Sequence, residues 1–213
     1  MAVLIYLEHW EGKFKKLSFE LVSYASKIAE MIGSQSIALT IGTVDEQELE
    51  KLALHGADKV IHIENKKLDT LDEQAYTNLV SDVARNYNAT VLVLSNNNSG
   101  KALAPRLSVQ LKAGLVSGVS KLPVSISPFV VYKKVYSGKA FVNMRIKTDI
   151  KILTLAQNSF EIIHHPKPFV VEHLNIQPNE NLLNTKVKEV QKLTGKVLLT
   201  DADIVVSGGR GMK

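Results

Sequence analysis

Apolar residues fall into short unbroken runs, separated by longer stretches in which they recur every three or four positions. Ala2–Leu7 is apolar throughout and fits a strand buried on both faces. Leu17, Leu21, Ala25, Ile28 and Ile32 then recur at helical spacing, and Gly33 is a natural stop. Ser36–Ile41 reads as the second strand. Asp45 reads as the cap of the next helix, with Glu48 as its capping-box partner, Leu49, Leu52 and Ala53 facing inward, and Gly56 ending it. Lys59–Ile63 is the third strand, and Asp72 opens a longer helix with Ala75, Leu79, Val83 and Tyr87 on one stripe. Thr90–Leu94 is a fourth buried strand. A helix carrying Leu107, Val109 and Leu111 follows, Gly114 ends it, and Leu115–Val119 is the fifth strand. Pro105 suits the first turn of that helix, with Ser99–Ala104 before it as a turn or a kinked start. Strands separated by helices require right-handed crossovers, hence a parallel, helix-covered sheet.

The pattern changes after Lys121. Phe129–Tyr136 and Ala140–Lys147 are rich in β-formers and joined through Ser137-Gly138, a hairpin turn. Val142, Met144 and Ile146 alternate with Asn143, Arg145 and Lys147, as on a half-exposed strand, and Ile150–Leu155 adds another. The expected fold is therefore α/β, a three-layer parallel sheet with flanking helices, extended by antiparallel edge strands. Residues from about Asn179 to Thr194 are polar and read as a connector. Asp203–Ser207 reads as a buried strand running into a glycine-rich turn, Gly208-Gly209-Arg210-Gly211, and the chain stops at Lys213. Such a strand and turn normally open a new α/β unit. The expectation is thus a domain over 1–195, with 196–213 the start of a truncated second one.

Composition narrows the function classes. Of 213 residues 45% are apolar and 22% charged, which excludes disorder, collagen and coiled coil as the main character. The absence of cysteine excludes disulfides, thiolate metal sites and cysteine nucleophiles. The run Met1–Leu7 is far short of the roughly 18 residues of a membrane span and lacks the flanks of a signal peptide. A mature start near Met1 and a cytoplasmic or similar compartment are expected, without membrane insertion. The net charge is +5, and the basic residues are spread out, as at Lys13, Lys15, Lys16, Lys66, Lys67, Lys133 and Lys134, with no dense cluster interleaved with aromatics. That favours a solvated face over a nucleic-acid surface.

Three stretches could carry chemistry. His164-His165 would point to opposite faces of a strand, and His9, His55, His62 and His173 show no ligand spacing, so no metal site is expected. Ser95–Lys101 places Gly next to Lys after the fourth strand, but it lacks the first Gly and the following Ser/Thr of a phosphate loop. It lies where α/β sheets bind ligands, yet a polar cap for the next helix is the better reading. Gly208–Gly211 allows close approach to a phosphate or a flat cofactor, with Arg210 as a fixed positive fork.

Taken together, the segments resemble the electron transfer flavoprotein α subunit family. Val205-Val206-Ser207-Gly208-Gly209-Arg210-Gly211-Met212-Lys213 looks like the opening of that family's flavin-binding domain. Ala104-Pro105-Arg106-Leu107, followed by Ala113-Gly114-Leu115-Val116-Ser117, resembles its central segment. Tyr136–Ala140 matches its hairpin, and Leu7-Glu8-His9 with Leu17-Ser18-Phe19-Glu20-Leu21 its first strand and helix. The resemblance runs over the whole chain. It implies an adenine-nucleotide α-hydrolase-like fold and a heterodimer with a β subunit, holding FAD. It also implies an electron carrier rather than an enzyme, fed by dehydrogenases such as acyl-CoA dehydrogenases and discharged to a membrane quinone reductase; some members bifurcate electrons. Of the family's FAD-contacting positions only Arg210 maps onto this chain. The first domain is then a scaffold facing the β subunit, and this segment alone is expected to hold no FAD. Nucleotide-binding relatives of the domain bind AMP or ATP, a role generally lost in the α subunit. The alternative is a free-standing adenine-nucleotide-binding domain resembling universal stress proteins. A small α/β enzyme has no acid, base and nucleophile set to support it.

Overall fold

The structure is a computed structural model that describes residues 1–176, 185, 187–189, 202, 204–209 and 211. In chain order the elements are β1 (Ala2–Leu7), β2 (His9–Trp10), β3 (Lys13–Phe14), α1 (Lys16–Ile32), β4 (Gln35–Ile41), α2 (Glu46–Leu54), β5 (Lys59–Ile63), α3 (Glu73–Asn86), β6 (Ala89–Ser95), α4 (Asn98–Leu111), β7 (Gly114–Val119), β8 (Ser125–Ile126), β9 (Phe129–Val135), β10 (Ala140–Arg145), β11 (Lys151–Leu155) and β12 (Val171–His173). One sheet runs β10-β9-β7-β11-β6-β1-β4-β5-β12, with β8 paired to β9. The stretch from β7 to β12 is parallel; β8, β9 and β10 are antiparallel.

β1 is apolar at every position because both its faces are covered. Val3, Ile5 and Leu7 pack with Leu21, Tyr24 and Ile28 of α1 and Leu49 and Leu52 of α2. Leu4 and Tyr6 point the other way, toward Leu79, Val80 and Val83 of α3 and Leu103 and Leu107 of α4. Each such fully buried aliphatic side chain contributes about 1.5–3 kcal/mol of burial. Helix ends follow their local signals. Gly33 ends α1 in the left-handed conformation at φ 63°, and Asp72 caps α3 by accepting the N–H groups of Gln74 and Ala75.

Five expectations are corrected. Ile150–Leu155 does not extend an antiparallel edge: β11 is parallel and inserted between β6 and β7. Its Ile152, Leu153 and Leu155 are fully buried, so the inserted place supplies neighbours on both sides that an edge could not. Pro105 stands inside α4, not at its first turn. Leu103, Ala104, Leu107 and Leu111 keep helical phase through it, and their burial offsets the missing N–H. Asp45 is the N-cap of α2 but makes no side-chain cap bond. Its expected partner Glu48 is drawn instead to the Phe14 N–H and to Lys51. α4 ends at Lys112 in the left-handed conformation, and Gly114 starts β7. Ile204–Ser207 is exposed and irregular, not a buried strand, because among the described residues no strand lies beside it to complete its hydrogen bonds. Asp203, most of the connector and the 195/196 boundary lie outside the described residues. Among those described, no helix is long and apolar enough to cross a membrane.

The segment after β11 is a strap that the periodicity did not announce. Glu20 of α1 is 2% exposed and its carboxylate accepts the N–H groups of Asn158, Ser159 and Phe160 at 2.8–3.0 Å. Further along, His165 and Lys167 donate their N–H groups to the Leu54 and Ala53 carbonyls. The strap ends in β12, where Glu172 accepts from Tyr87 and pairs with Lys59.

Candidate functional site

The strand order β5-β4-β1-β6 reverses direction between β1 and β6, so the carboxyl ends of these strands open on a crevice. Glu8 emerges there directly after β1. Its carboxylate accepts the Ser95 hydroxyl at 2.6 Å and the Asn97 amide at 3.0 and 3.1 Å. Asn97 in turn caps α4, its Oδ1 accepting the Gly100 N–H at 2.9 Å. The polar loop Ser95–Lys101 is thus a helix cap and a tether for Glu8. An incoming phosphate would meet a carboxylate rather than a cradle of free N–H groups.

Over the crevice lies the β2–β3 ribbon, turned by Glu11 and Gly12, both at positive φ, 52° and 76°. His9 donates from Nε2 to the Ile41 carbonyl at 2.9 Å, fixing the ribbon to the end of β4. The half-open cleft has a volume of about 670 Å³ and includes Tyr6, Glu8, Trp10, Asp45, Asp69 and Tyr76 in its lining. Asp69 accepts the Thr43 N–H at 2.8 Å, and the Tyr76 hydroxyl donates to the Leu68 carbonyl. Burial, then the neighbouring Tyr76 and Glu8, pushes the Tyr6 phenol well above its ordinary range, so it stays neutral. None of Tyr6, Trp10, Asp45 and Asp69 stands out in the sequence as a ligand group. The available signals were Glu8 directly after a buried strand and a single tryptophan in a polar stretch.

The histidines form two pairings that sequence distance hid. His164 lies 6.3 Å from His55, ring centre to ring centre, while His165 faces Glu30 at 3.2 Å. They sit on the irregular strap, not on a strand. His62 and His173 approach to 5.3 Å across β5 and β12. Among the described residues no group of three or more histidines and carboxylates is placed to hold a metal ion. Arg210 lies outside the described residues. Gly208 and Gly209 beside it are exposed, and open space surrounds Gly209.

A second surface is the β9–β10 hairpin at the sheet edge. Its register puts Phe141, Asn143 and Arg145 on one face with Tyr132 and Lys134. Phe141 is 58% exposed and stacks on Tyr132 at 5.3 Å, and Lys121 Nζ stands 4.8 Å over the Tyr132 ring. Met144, Ile126 and Val124 are exposed nearby in sequence and pairing. The alternation expected along β10 holds only in part: Val142 is half-buried and Ile146 buried, while Met144 is exposed.

The profile of the family described as "Electron transfer flavoprotein domain" matches residues 3–196. The chain is 29% identical over 215 residues to "Electron transfer flavoprotein subunit alpha" of Bacillus subtilis (strain 168), covering 99% of this chain and 65% of that protein. It is 26% identical over 216 residues to "Protein FixB" of Clostridium saccharobutylicum, covering 99% and 64%. It is 25% identical over 217 residues to "Lactate dehydrogenase (NAD(+),ferredoxin) subunit LctC" of Acetobacterium woodii, covering 100% and 52%. The chain therefore spans just under two thirds of the first two relatives and about half of the third.

Proposed function

Because the chain belongs to the electron transfer flavoprotein family, we propose that it is the scaffold through which an α-type subunit meets a β-type subunit in a heterodimeric, FAD-containing electron carrier. The observation that carries this reading is the β9–β10 hairpin. It offers a free sheet edge among the described residues, with Phe141 and Met144 exposed and Tyr132 beneath Phe141. A stacked aromatic pair left open to water is typical of a surface that a partner covers. In this reading dehydrogenases, acyl-CoA dehydrogenases among them, supply the electrons and a quinone reductase receives them. The domain division at 195/196 is part of the same reading. Such a carrier asks no acid–base chemistry of this segment; the protein's task is position and electrostatics.

Co-expression with a β-type subunit tests the proposal. The two chains are expected to co-elute as a one-to-one complex, and Phe141→Glu to weaken it about thirty-fold, the ~2 kcal/mol of a central contact. A strict monomer at high concentration together with a negative pull-down overturns it.

Arg210 is this chain's proposed contact to FAD, since its guanidinium matches phosphate and carbonyl oxygens. In this reading Arg210 meets one part of the dinucleotide, and the remaining contacts come from elsewhere in the assembly. In the FAD-loaded heterodimer, Arg210→Ala is expected to raise the dissociation constant for FAD about ten-fold, the loss of one charge-assisted bond. An unchanged constant by equilibrium dialysis removes Arg210 from the site. The alternative reading, a free-standing adenine-nucleotide domain, has the cleft at the switch point in its favour. The carboxylates lining that cleft count against it.

A further inference from the structure

The cleft over the ends of β1 and β4 stands at the other end of the molecule's logic from the hairpin, and the family reading leaves it without a task. We propose that it binds a small organic cation, an amine or guanidinium carried on an aliphatic or flat body.

Size comes first. A volume of about 670 Å³ lies inside the range of small-molecule sites, roughly 300–1,000 Å³. Charge comes second. Glu8, Glu11, Asp45 and Asp69 line the cleft and no Lys or Arg does, in a chain whose overall charge is +5. Glu8 and Asp69 bond only neutral groups, the Ser95 hydroxyl, the Asn97 amide and the Thr43 N–H. Their negative charge is therefore held in place without being neutralised by those partners. The cation beside Trp10 is Lys15. It stands 6.0 Å from the Trp10 ring and belongs to the smaller adjoining hollow, not to the cleft lining.

The third observation points to a ligand by itself. Tyr6 is 5% exposed and lines the cleft, yet its hydroxyl has no hydrogen-bond partner among the described residues. The oxygen is not one of the buried polar atoms left without a partner, so it opens on the cleft and can meet an incoming group there. Kept neutral by its surroundings, the Tyr6 oxygen can accept an N–H. Tyr76 at 6.1 Å from Tyr6 and the half-exposed Trp10 add aromatic faces, whose negative quadrupoles attract ammonium and guanidinium groups. Carboxylates, an unpaired phenol and aromatic walls together suit a cation with an apolar body, and they repel a nucleotide phosphate.

Trp10 is the only tryptophan in the chain, so intrinsic fluorescence reports on this cleft directly. The full chain is titrated at low salt with agmatine, spermidine and AMP, and binding is confirmed by calorimetry. Agmatine or spermidine is expected to give a saturable change below about a millimolar, weakened by added salt, and AMP none. The double variant Glu11→Gln, Asp45→Asn keeps shape, and Asp45 makes no side-chain cap bond to lose; it should weaken amine binding about ten-fold. Tyr6→Phe keeps the ring and should weaken it several-fold with an unchanged circular dichroism spectrum. No saturable amine signal up to about 10 mM, AMP binding as tight as the amines, or variants that bind as the parent does would each overturn the proposal. Because the hairpin is remote in sequence and untouched by these variants, failure here leaves the β-subunit reading standing, and the reverse holds too.

Discussion

Replacing Glu20 with alanine is expected to destabilise the fold by about 3–5 kcal/mol, seen as a large fall in the urea midpoint. The reason lies in what one side chain holds. The carboxylate is 2% exposed and serves three successive backbone N–H groups, those of Asn158, Ser159 and Phe160. Removing it takes the shared acceptor from all three donors at once, and charge-assisted bonds to N–H groups are the stronger kind. Glu20→Gln retains one acceptor oxygen and should lose less than Glu20→Ala. Hydrogen exchange gives the local readout: amides 158–160 should lose protection in Glu20→Ala before the amides of β1 and β6 do. Equal midpoints for the parent and Glu20→Ala would show that the strap is not held from α1. The consequence reaches the far edge of the sheet, because the same strap delivers β12 to β5.

Gly100→Ala should be nearly as damaging, at about 3 kcal/mol or more. A Cβ on Gly100 would sit 1.8 Å from the Ser95 carbonyl oxygen and 2.8 Å from its carbon. That oxygen belongs to the last residue of β6 and has no flexible end to swing away. Either β6 or the first turn of α4 must shift, and the Asn97 cap and the Glu8 tether shift with it. The glycine of the Ser95–Lys101 loop is thus explained by packing of strand end against helix start, not by approach of a phosphate. Gly209→Ala is the control: nothing lies within 4 Å of its added Cβ, and thermal melting should stay within about 0.5 kcal/mol of the parent. If Gly100→Ala melts with the parent as well, the close packing at this turn is not what the loop depends on.

The sequence by itself determined the elements whose signals are local. β1, β4, β5 and β6 are legible because a strand covered on both faces is apolar at most positions, and few other short segments are. Gly33 and Asp72 mark helix ends because a left-handed turn and an N-terminal cap need particular side chains at single positions. The hairpin at residues 129–145 follows from its β-forming residues and its turn. Family membership was legible too, since it rests on ordered short motifs and not on three-dimensional neighbours.

Only the tertiary structure decided which elements meet. β11 has the composition of any buried strand, and nothing in Ile152–Leu155 says that β6 and β7 will part to admit it; strand order is a property of long-range pairing. Pro105 obeys a local rule that helix burial overrode, because four side chains packed into the core outweigh one missing hydrogen bond. Glu20 reads as an ordinary polar residue of a helix until the strap, some 140 positions away, brings it three donors. The cleft is the furthest case. Glu8, Asp45 and Asp69 each follow or join different elements, and each is unremarkable in its own segment. They become one negatively charged cavity only because the parallel sheet gathers the carboxyl ends of its strands on one side, where Tyr6 joins the same lining.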